Sequence, residues 1–403
     1  MDHHIHEKEL LLASASYPLR TSDTPDISEL VRQPLDWEYI TLSSGRHGLA
    51  SLLFRMLSEH ESADLVPAEV MERLKKGYLA TLMRNRLFYH VIEPLLSSFA
   101  ENSVPVILLK GAALCMTIYD DIALRPLGDM DIMVHREHVT LCRELMEDAG
   151  FHLIENNYFP IPDDRNDELG CEWSYHIQNN VVELHWDLVT RLAPFQVEIS
   201  RFWADAVDVE PKGGPALIME PGNQLLHLCL HQFKHHWMHF RDLVDVALLL
   251  EKYGDSIDWD RFTRDAQEQG LGRCAYYTIK LTNQTLGTPV GYIPLAGILG
   301  RPKPNILADS MKDLIASNIL ESHMPRRFWE LLLVDGAANK TTVIRNTLAH
   351  PFPRKLTRGQ LPQDSRQGVI HRTRAAIRSV FFYRRLFIEF PRHIWRIIRK
   401  RAS

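Results

Sequence analysis

At 403 residues, 45% hydrophobic and 24% charged, the chain has the balance of a globular protein of two or three domains, which excludes a fibrous or largely disordered architecture. Its five cysteines, Cys115, Cys142, Cys171, Cys229 and Cys274, are odd in number and form no CxxC pair, so they point to no zinc or redox chemistry and fit a reducing cytoplasm. The net charge of −5 combines a C-terminal segment of about +10, in which eleven Lys and Arg stand against Glu389 alone, with a body near −15, a division that suggests an anionic partner for the basic end.

Residues 1–25 are polar apart from the short Leu10–Ala13 patch and read as a flexible arm; they lack the basic and apolar regions of a signal peptide. No apolar run in the chain reaches the roughly 18 residues that a membrane span needs. Residues 26–100 read as a helical bundle of three or four helices, with Leu49, Leu52, Leu53, Met56 and Leu57, then Leu79, Leu82, Leu87 and Val91, at helical spacing.

The texture changes at Val104. An apolar, β-branched run to Leu109 ends at Lys110 and Gly111, a helical stretch covers Ala112–Tyr119, a second strand covers Asp129–Val134 and another helix runs from His138 to Ala149. Two further strands, Cys171–Ile177 and Val181–Asp187, flank the turn-forming Gln178, Asn179 and Asn180 as a hairpin. Strands alternating with helices make residues 101–210 an α/β or α+β domain with a mixed sheet, set between the bundle and a C-terminal helical region. Glu210–Gly222 reads as a linker, residues 211–290 as a helical domain carried by Asn223–Tyr253 and Trp259–Leu286, residues 291–365 as an irregular or helical extension, and residues 366–403 as a basic amphipathic tail.

Chemistry concentrates in Gly128–Val134. Period two puts Asp129 and Asp131 on one face of the strand and Met130, Ile132 and Val134 on the other. Two carboxylates roughly 7 Å apart along a strand repel by about 2 kcal/mol at an effective dielectric near 20, which asks for a cation. Paired divalent ions bridged by such acids activate an attacking oxygen and stabilise a leaving phosphate. A solvated exposed strand is the plain alternative. Upstream, Gly111 opens a helix whose N-terminus could receive a phosphate, with Lys110 and Arg125 as its cationic partners and Gly128 beside the acids. Downstream, Glu183 and His185 share a strand face, Glu183 as a third carboxylate or a solvated glutamate, His185 as a contact to phosphate or acceptor or as a hydrogen-bonded structural histidine. Neither a GxxxxGK[ST] loop nor a GxGxxG fingerprint occurs, which removes the familiar ATPase and dinucleotide folds.

Further along, His227, His231, His235 and His239 recur every four residues, a metal face in principle, with packing or contact to phosphate or acceptor, at His231 above all, as the competing roles. In the tail, Ile377, Val380, Phe381, Phe387, Ile388, Ile394, Ile397 and Ile398 interleave with arginines around Pro391. That pattern suits an anionic membrane surface or the protein's own acidic body, and nucleic acid less well.

Taken together, Val106–Leu114, Tyr119–Asp121, Arg125–Val134 and Val182–Trp186 resemble, in order and spacing, the bacterial family of uncharacterised nucleotidyltransferases of the polymerase-beta-like superfamily. The likeness extends back through Arg46–Leu53 to Trp37 and forward through Leu225–His231 to Asp242–Leu250. It implies a metal-dependent enzyme that uses Mg²⁺ or Mn²⁺ to move a nucleoside monophosphate from a nucleoside triphosphate to an unspecified acceptor. Asp129, Asp131 and Glu183 would hold metal, and Gly111 would take the phosphate-side position. The superfamily's glycine is usually followed by Ser or Gly, whereas Ala112 follows here. That departure keeps open a non-catalytic adaptor that retains the fold, including one peripheral to the inner face of a membrane in envelope polysaccharide or peptide modification.

Overall fold

The computed structural model describes residues 4–19, 26–154, 166–191, 193–209, 211, 214–235, 239–291 and 293–299. The basic tail and residues 300–365 of the expected extension lie outside the described residues. Two compact units divide the chain, one formed by residues 1–154, 172–188 and 196–319, the other by residues 155–171, 189–195 and 320–403. Apart from α8, every element below belongs to the first.

Helix α1 (Ile5–Ser16) replaces the flexible arm expected at the N-terminus. The Leu10–Ala13 patch is too short to show a helical period, yet Leu10, Leu11 and Ala13 are buried with Ile40, Leu53, Met56 and Leu74 in the core of the N-terminal bundle. Leu10→Ala is therefore expected to cost about 2–5 kcal/mol, read as a lower urea midpoint; an unchanged midpoint would mean that α1 is no part of the fold. The bundle continues with α2 (Ile27–Val31), α3 (Trp37–His47), α4 (Ala50–Glu59) and the 34-residue α5 (Ala68–Glu101). Asp26 and Asp36 cap α2 and α3 by accepting backbone N–H groups. Gly48, at φ +69°, ends α3 in the left-handed conformation that glycine adopts without strain.

Helix α5 serves two cores. Its first turns bury Val70 and Leu74 in the bundle, and its last turns bury Phe88, Ile92, Leu95, Leu96 and Phe99 beneath a sheet. The sheet elements follow in order: β1 (Ile107–Leu108), α6 (Lys110–Thr117), β2 (Met130–Met133), α7 (Val139–Asp148), β3 (His152–Leu153), α8 (Asn166–Leu169), β4 (Glu172–Ile177) and β5 (Asn180–His185). After them come α9 (Ile199–Trp203), β6 (Val207–Val209) and β7 (Ala216–Ile218), then α10 (Pro221–His235), α11 (Phe240–Tyr253), α12 (Trp259–Glu268), α13 (Gly272–Leu286) and α14 (Leu295–Leu299).

The seven strands form one mixed sheet in the order β3-β4-β5-β2-β1-β7-β6. Strand β2 pairs parallel with β5 and antiparallel with β1, and β1 pairs parallel with β7. The stretch expected to be a linker thus contains a strand: Ala216–Ile218 joins β1, and Leu217 N donates to Val106 O at 2.7 Å. Three residues are too few to show a period of two, so the Pro and Gly before them dominated the sequence signal.

Alternation along the central strands fixes which face carries chemistry. Met130, Ile132 and Val134 of the β2 segment, Val182, Leu184 and Trp186 of the β5 segment, and Trp173 and Tyr175 of β4 are all buried against α5 and α7. Successive side chains of a strand point to opposite faces, so Asp131, Glu183, His185 and Glu172 share the other side.

Candidate metal centre

Register brings the acids together. In the parallel ladder Asp131 lies opposite Glu183 and Met133 opposite His185, and in the β4–β5 hairpin Glu172 lies opposite His185. One oxygen each of Asp131 and Glu183 and one ring nitrogen of His185 lie within 4.8 Å of one another, a set that could hold a metal ion. Asp131 and His185 are 2% and 3% exposed.

Charge is balanced within this cluster. Asp131 Oδ1 accepts from Lys110 Nζ at 2.5 Å and stands 2.9 Å from His185 Nε2. His185 Nε2 is also 3.4 Å from Glu183 Oε2, and its Nδ1 is 3.3 Å from Glu172 Oε2. Burial alone would raise the Asp131 carboxyl, but Lys110 and then His185 outweigh it and hold it well below the usual carboxylate range. Burial alone would lower His185; the facing acids, Glu172 first and then Asp131 and Glu183, win and raise it from 6.5 to about 9. Glu183 moves the other way, because burial raises it, with the charges of Asp131 and Glu172 adding to that, and its hydrogen bond to His185 only partly opposes the shift. The buried carboxylate of Asp131 and the half-buried ones of Glu183 and Glu172 are thus met by the positive charge of Lys110 and His185, the kind of compensation a divalent ion also supplies.

Asp129 takes a different position. It precedes β2 and stays exposed at the lip, outside the three-residue donor set. Protein packed around it, and then the charge of Asp131, still push its carboxyl upward, while Lys110, Arg125 and Arg241 pull the other way.

The expected phosphate residues separate. Lys110 opens α6 in a left-handed conformation, φ +46°, rare for a residue with a side chain, and its ammonium is committed to Asp131. Arg125 does not face an open cleft. It is 6% exposed, Nη2 donates to Asp245 Oδ2 at 2.8 Å, and Tyr119 Oη donates to Asp245 Oδ1 at 2.7 Å. Its guanidinium also fills the space that a Gly111 side chain would need: a Cβ there would lie 2.6 Å from Arg125 Nη1 and 2.5 Å from Leu127 Cδ2. In this state Gly111 admits an arginine where the sequence suggested a phosphate. Gly111→Ala is expected to cost about 1–3 kcal/mol through overpacking, measured by thermal melting; a melt equal to wild type would mean that the loop yields freely. Gly128 is exposed, has nothing within 4 Å of a would-be Cβ, and offers its carbonyl to Arg84 Nη2 at 3.1 Å.

Sequence reasoning missed several supports. Asn85 of α5 donates to the carbonyls of Ile122 and Arg125 and accepts from Leu127 N, which fixes the loop before the acids. Arg241 donates to Pro126 O at 3.2 Å from the other side. Glu172 was legible in principle, since the hairpin register sets it opposite His185.

The four-residue histidine repeat does not form one helix face. The described part of α10 reaches His235, and His239 stands in extended conformation before α11, with Nδ1 3.2 Å from Arg46 O. His227 and His231 instead line a pocket with Lys110, His185, Leu188, Leu230 and Lys234. Burial, and then the charge of Lys110, keep both imidazoles well below their usual range and therefore neutral. Among the described residues no helix is long and apolar enough to cross a membrane.

The family described as uncharacterised nucleotidyltransferase matches residues 33–287. A similar solved structure is the crystal structure of an antigenic nucleotidyltransferase-like protein from Paracoccidioides brasiliensis, 15% identical, covering 54% of this chain and 94% of that chain at a TM-score of 0.32. No curated protein matches the chain.

Proposed function

The chain belongs to the uncharacterised nucleotidyltransferase family, and from that premise we propose that it transfers a nucleoside monophosphate from a nucleoside triphosphate to an acceptor, using Mg²⁺ or Mn²⁺. The observation that carries this reading is the convergence of Asp131, Glu183 and His185 on one point of the sheet, beside Asp129 at the solvent-facing lip. The donor set fits a divalent ion: two carboxylates and an imidazole, with Asp131 paired both to Lys110 and to His185.

When bound, such an ion supplies charge neutralisation on the phosphate oxygens and activation of the attacking oxygen. The chain's own residues do the rest. Asp131 and Glu183 would hold the ion against which the reacting phosphate is set, and Lys110, drawn from Asp131 toward the phosphates, would offset their negative charge. The acceptor oxygen bonds to the α-phosphorus, the bond to pyrophosphate breaks, and the acceptor's proton leaves through the open lip beside Asp129. His227 and His231, neutral in the adjoining pocket, contact the acceptor or a phosphate.

Pyrophosphate release from ATP, CTP, GTP and UTP across a panel of acceptors tests this reading. Release is expected only with Mg²⁺ or Mn²⁺ and is expected to be lost in Asp131→Asn. Triphosphate binding that ignores both the metal and that substitution would overturn it.

A second reading is favoured by Lys110 and Ala112. A lysine already neutralising Asp131, and an alanine where Ser or Gly would donate to phosphate, suit a non-catalytic adaptor that keeps the fold and engages a partner, including an anionic membrane surface, through its basic tail. Such a protein gives no metal-dependent pyrophosphate release with any acceptor.

A further inference from the structure

We propose that His185 is itself a metal ligand through Nε2, held in that role by Glu172, and that the site therefore prefers a first-row transition cation, Mn²⁺ or a later member, to Mg²⁺. This deepens the proposed function and rests on its reading that the β2–β5 acids hold a divalent cation.

The geometry comes from two strand pairings. The parallel ladder aligns Asp131 with Glu183, and His185 projects from the same face two residues on. Its Nε2 stands 2.9 Å from Asp131 Oδ1 and 3.4 Å from Glu183 Oε2, so the nitrogen sits among the donor oxygens and not at the edge of the cluster. The antiparallel hairpin then sets Glu172 against the opposite nitrogen, Nδ1, at 3.3 Å. A metal-bound histidine almost always gives its other ring N–H to a carboxylate, carbonyl or water, which fixes the tautomer and strengthens the ligand. Here the ring cannot turn away, because it is buried and each of its nitrogens faces an acid.

Donor chemistry then sets the ion. Mg²⁺ takes oxygen ligands, demands near-ideal octahedral geometry and gives up water reluctantly. Imidazole suits transition cations, whose affinity for nitrogen donors rises along the first row. A mixed set of two carboxylate oxygens and one imidazole nitrogen discriminates against Mg²⁺ more strongly than an all-oxygen set does. Glu172 is a positioning residue in this scheme, acting through His185.

The experiment uses the full chain without nucleotide. Mn²⁺ and Mg²⁺ binding are measured by calorimetry, and Mn²⁺-loaded protein, wild type and with ¹⁵N-labelled histidine, is examined by pulsed electron paramagnetic resonance. The expected results are Mn²⁺ affinity above that for Mg²⁺, and an electron–nuclear coupling that changes from ¹⁴N to ¹⁵N on labelling. His185→Gln is expected to abolish the coupling and shrink the preference for Mn²⁺. Glu172→Gln is expected to weaken Mn²⁺ binding about ten- to a hundredfold while the coupling persists. Wild-type Mn²⁺ protein with no nitrogen coupling overturns the proposal, and that result needs no variant to fold. The two readings fail separately: nitrogen coupling without pyrophosphate release upholds the ligand set and removes the catalytic function, whereas Mg²⁺-supported turnover without nitrogen coupling does the reverse.

Discussion

Asp131→Asn is expected to lower metal-dependent nucleotide turnover by about a thousandfold or more, because the charge stabilisation a metal gives the reacting phosphate is worth several kcal/mol and about 1.4 kcal/mol is a factor of ten in rate. Asp131 is the most buried carboxylate of the cluster. Its carboxylate accepts from Lys110, stands against His185 Nε2 and shares a ladder position with Glu183. Asparagine keeps the shape and one acceptor oxygen, so Lys110 retains a hydrogen bond while the charge that draws in a divalent ion is gone. The measurement is steady-state pyrophosphate release at saturating metal, with circular dichroism to confirm that the variant is folded. A folded variant that turns over within tenfold of wild type would remove Asp131 from the chemistry.

Asp245→Asn is expected to destabilise the protein by about 3–5 kcal/mol, the usual cost of breaking a buried ion pair by removing one partner. Asp245 is 1% exposed and accepts from both Arg125 and Tyr119. Without its charge the Arg125 guanidinium stays buried, close to Asp242 at 4.0 Å but without its bidentate partner. Replacing both members together, Arg125→Met with Asp245→Leu, is expected to recover much of the loss, since a packed apolar pair avoids the desolvation cost of two charges. Urea unfolding of the two variants decides the matter: a double variant as unstable as Asp245→Asn would mean that the guanidinium acts chiefly by packing against Gly111 and Leu127.

Much of the site was legible because a strand imposes a period of two. The alternation of Asp129, Asp131 and their apolar neighbours indicates a strand with its acids on one face, and the Gln178–Asn180 turn signal marks a hairpin; the structure forms β2, β4 and β5 there, with β2 buried on both faces. The likeness to nucleotidyltransferases likewise rested on local runs, each contiguous in sequence. What stayed hidden depends on distant pairing. Arg125 and Asp245 lie 120 positions apart, so no local pattern announced that the arginine was already committed. Asp129 and Asp131 are two residues apart, yet the strand begins between them, which leaves one at the lip and the other in the interior. Short elements escaped for a related reason: β7 has three residues, and the apolar patch of α1 is shorter than two helical turns, so only burial against other elements reveals them.

The most direct measurement is anomalous diffraction from crystals carrying Mn²⁺ and a non-hydrolysable nucleoside triphosphate. The expected result is an anomalous peak about 2.0–2.6 Å from a carboxylate oxygen of Asp131 and of Glu183, with the triphosphate on the same ion at the Asp129 lip. A triphosphate bound elsewhere on the protein, with no metal peak between β2 and β5, would contradict the claim that these neighbouring strands build a nucleotide-transfer centre.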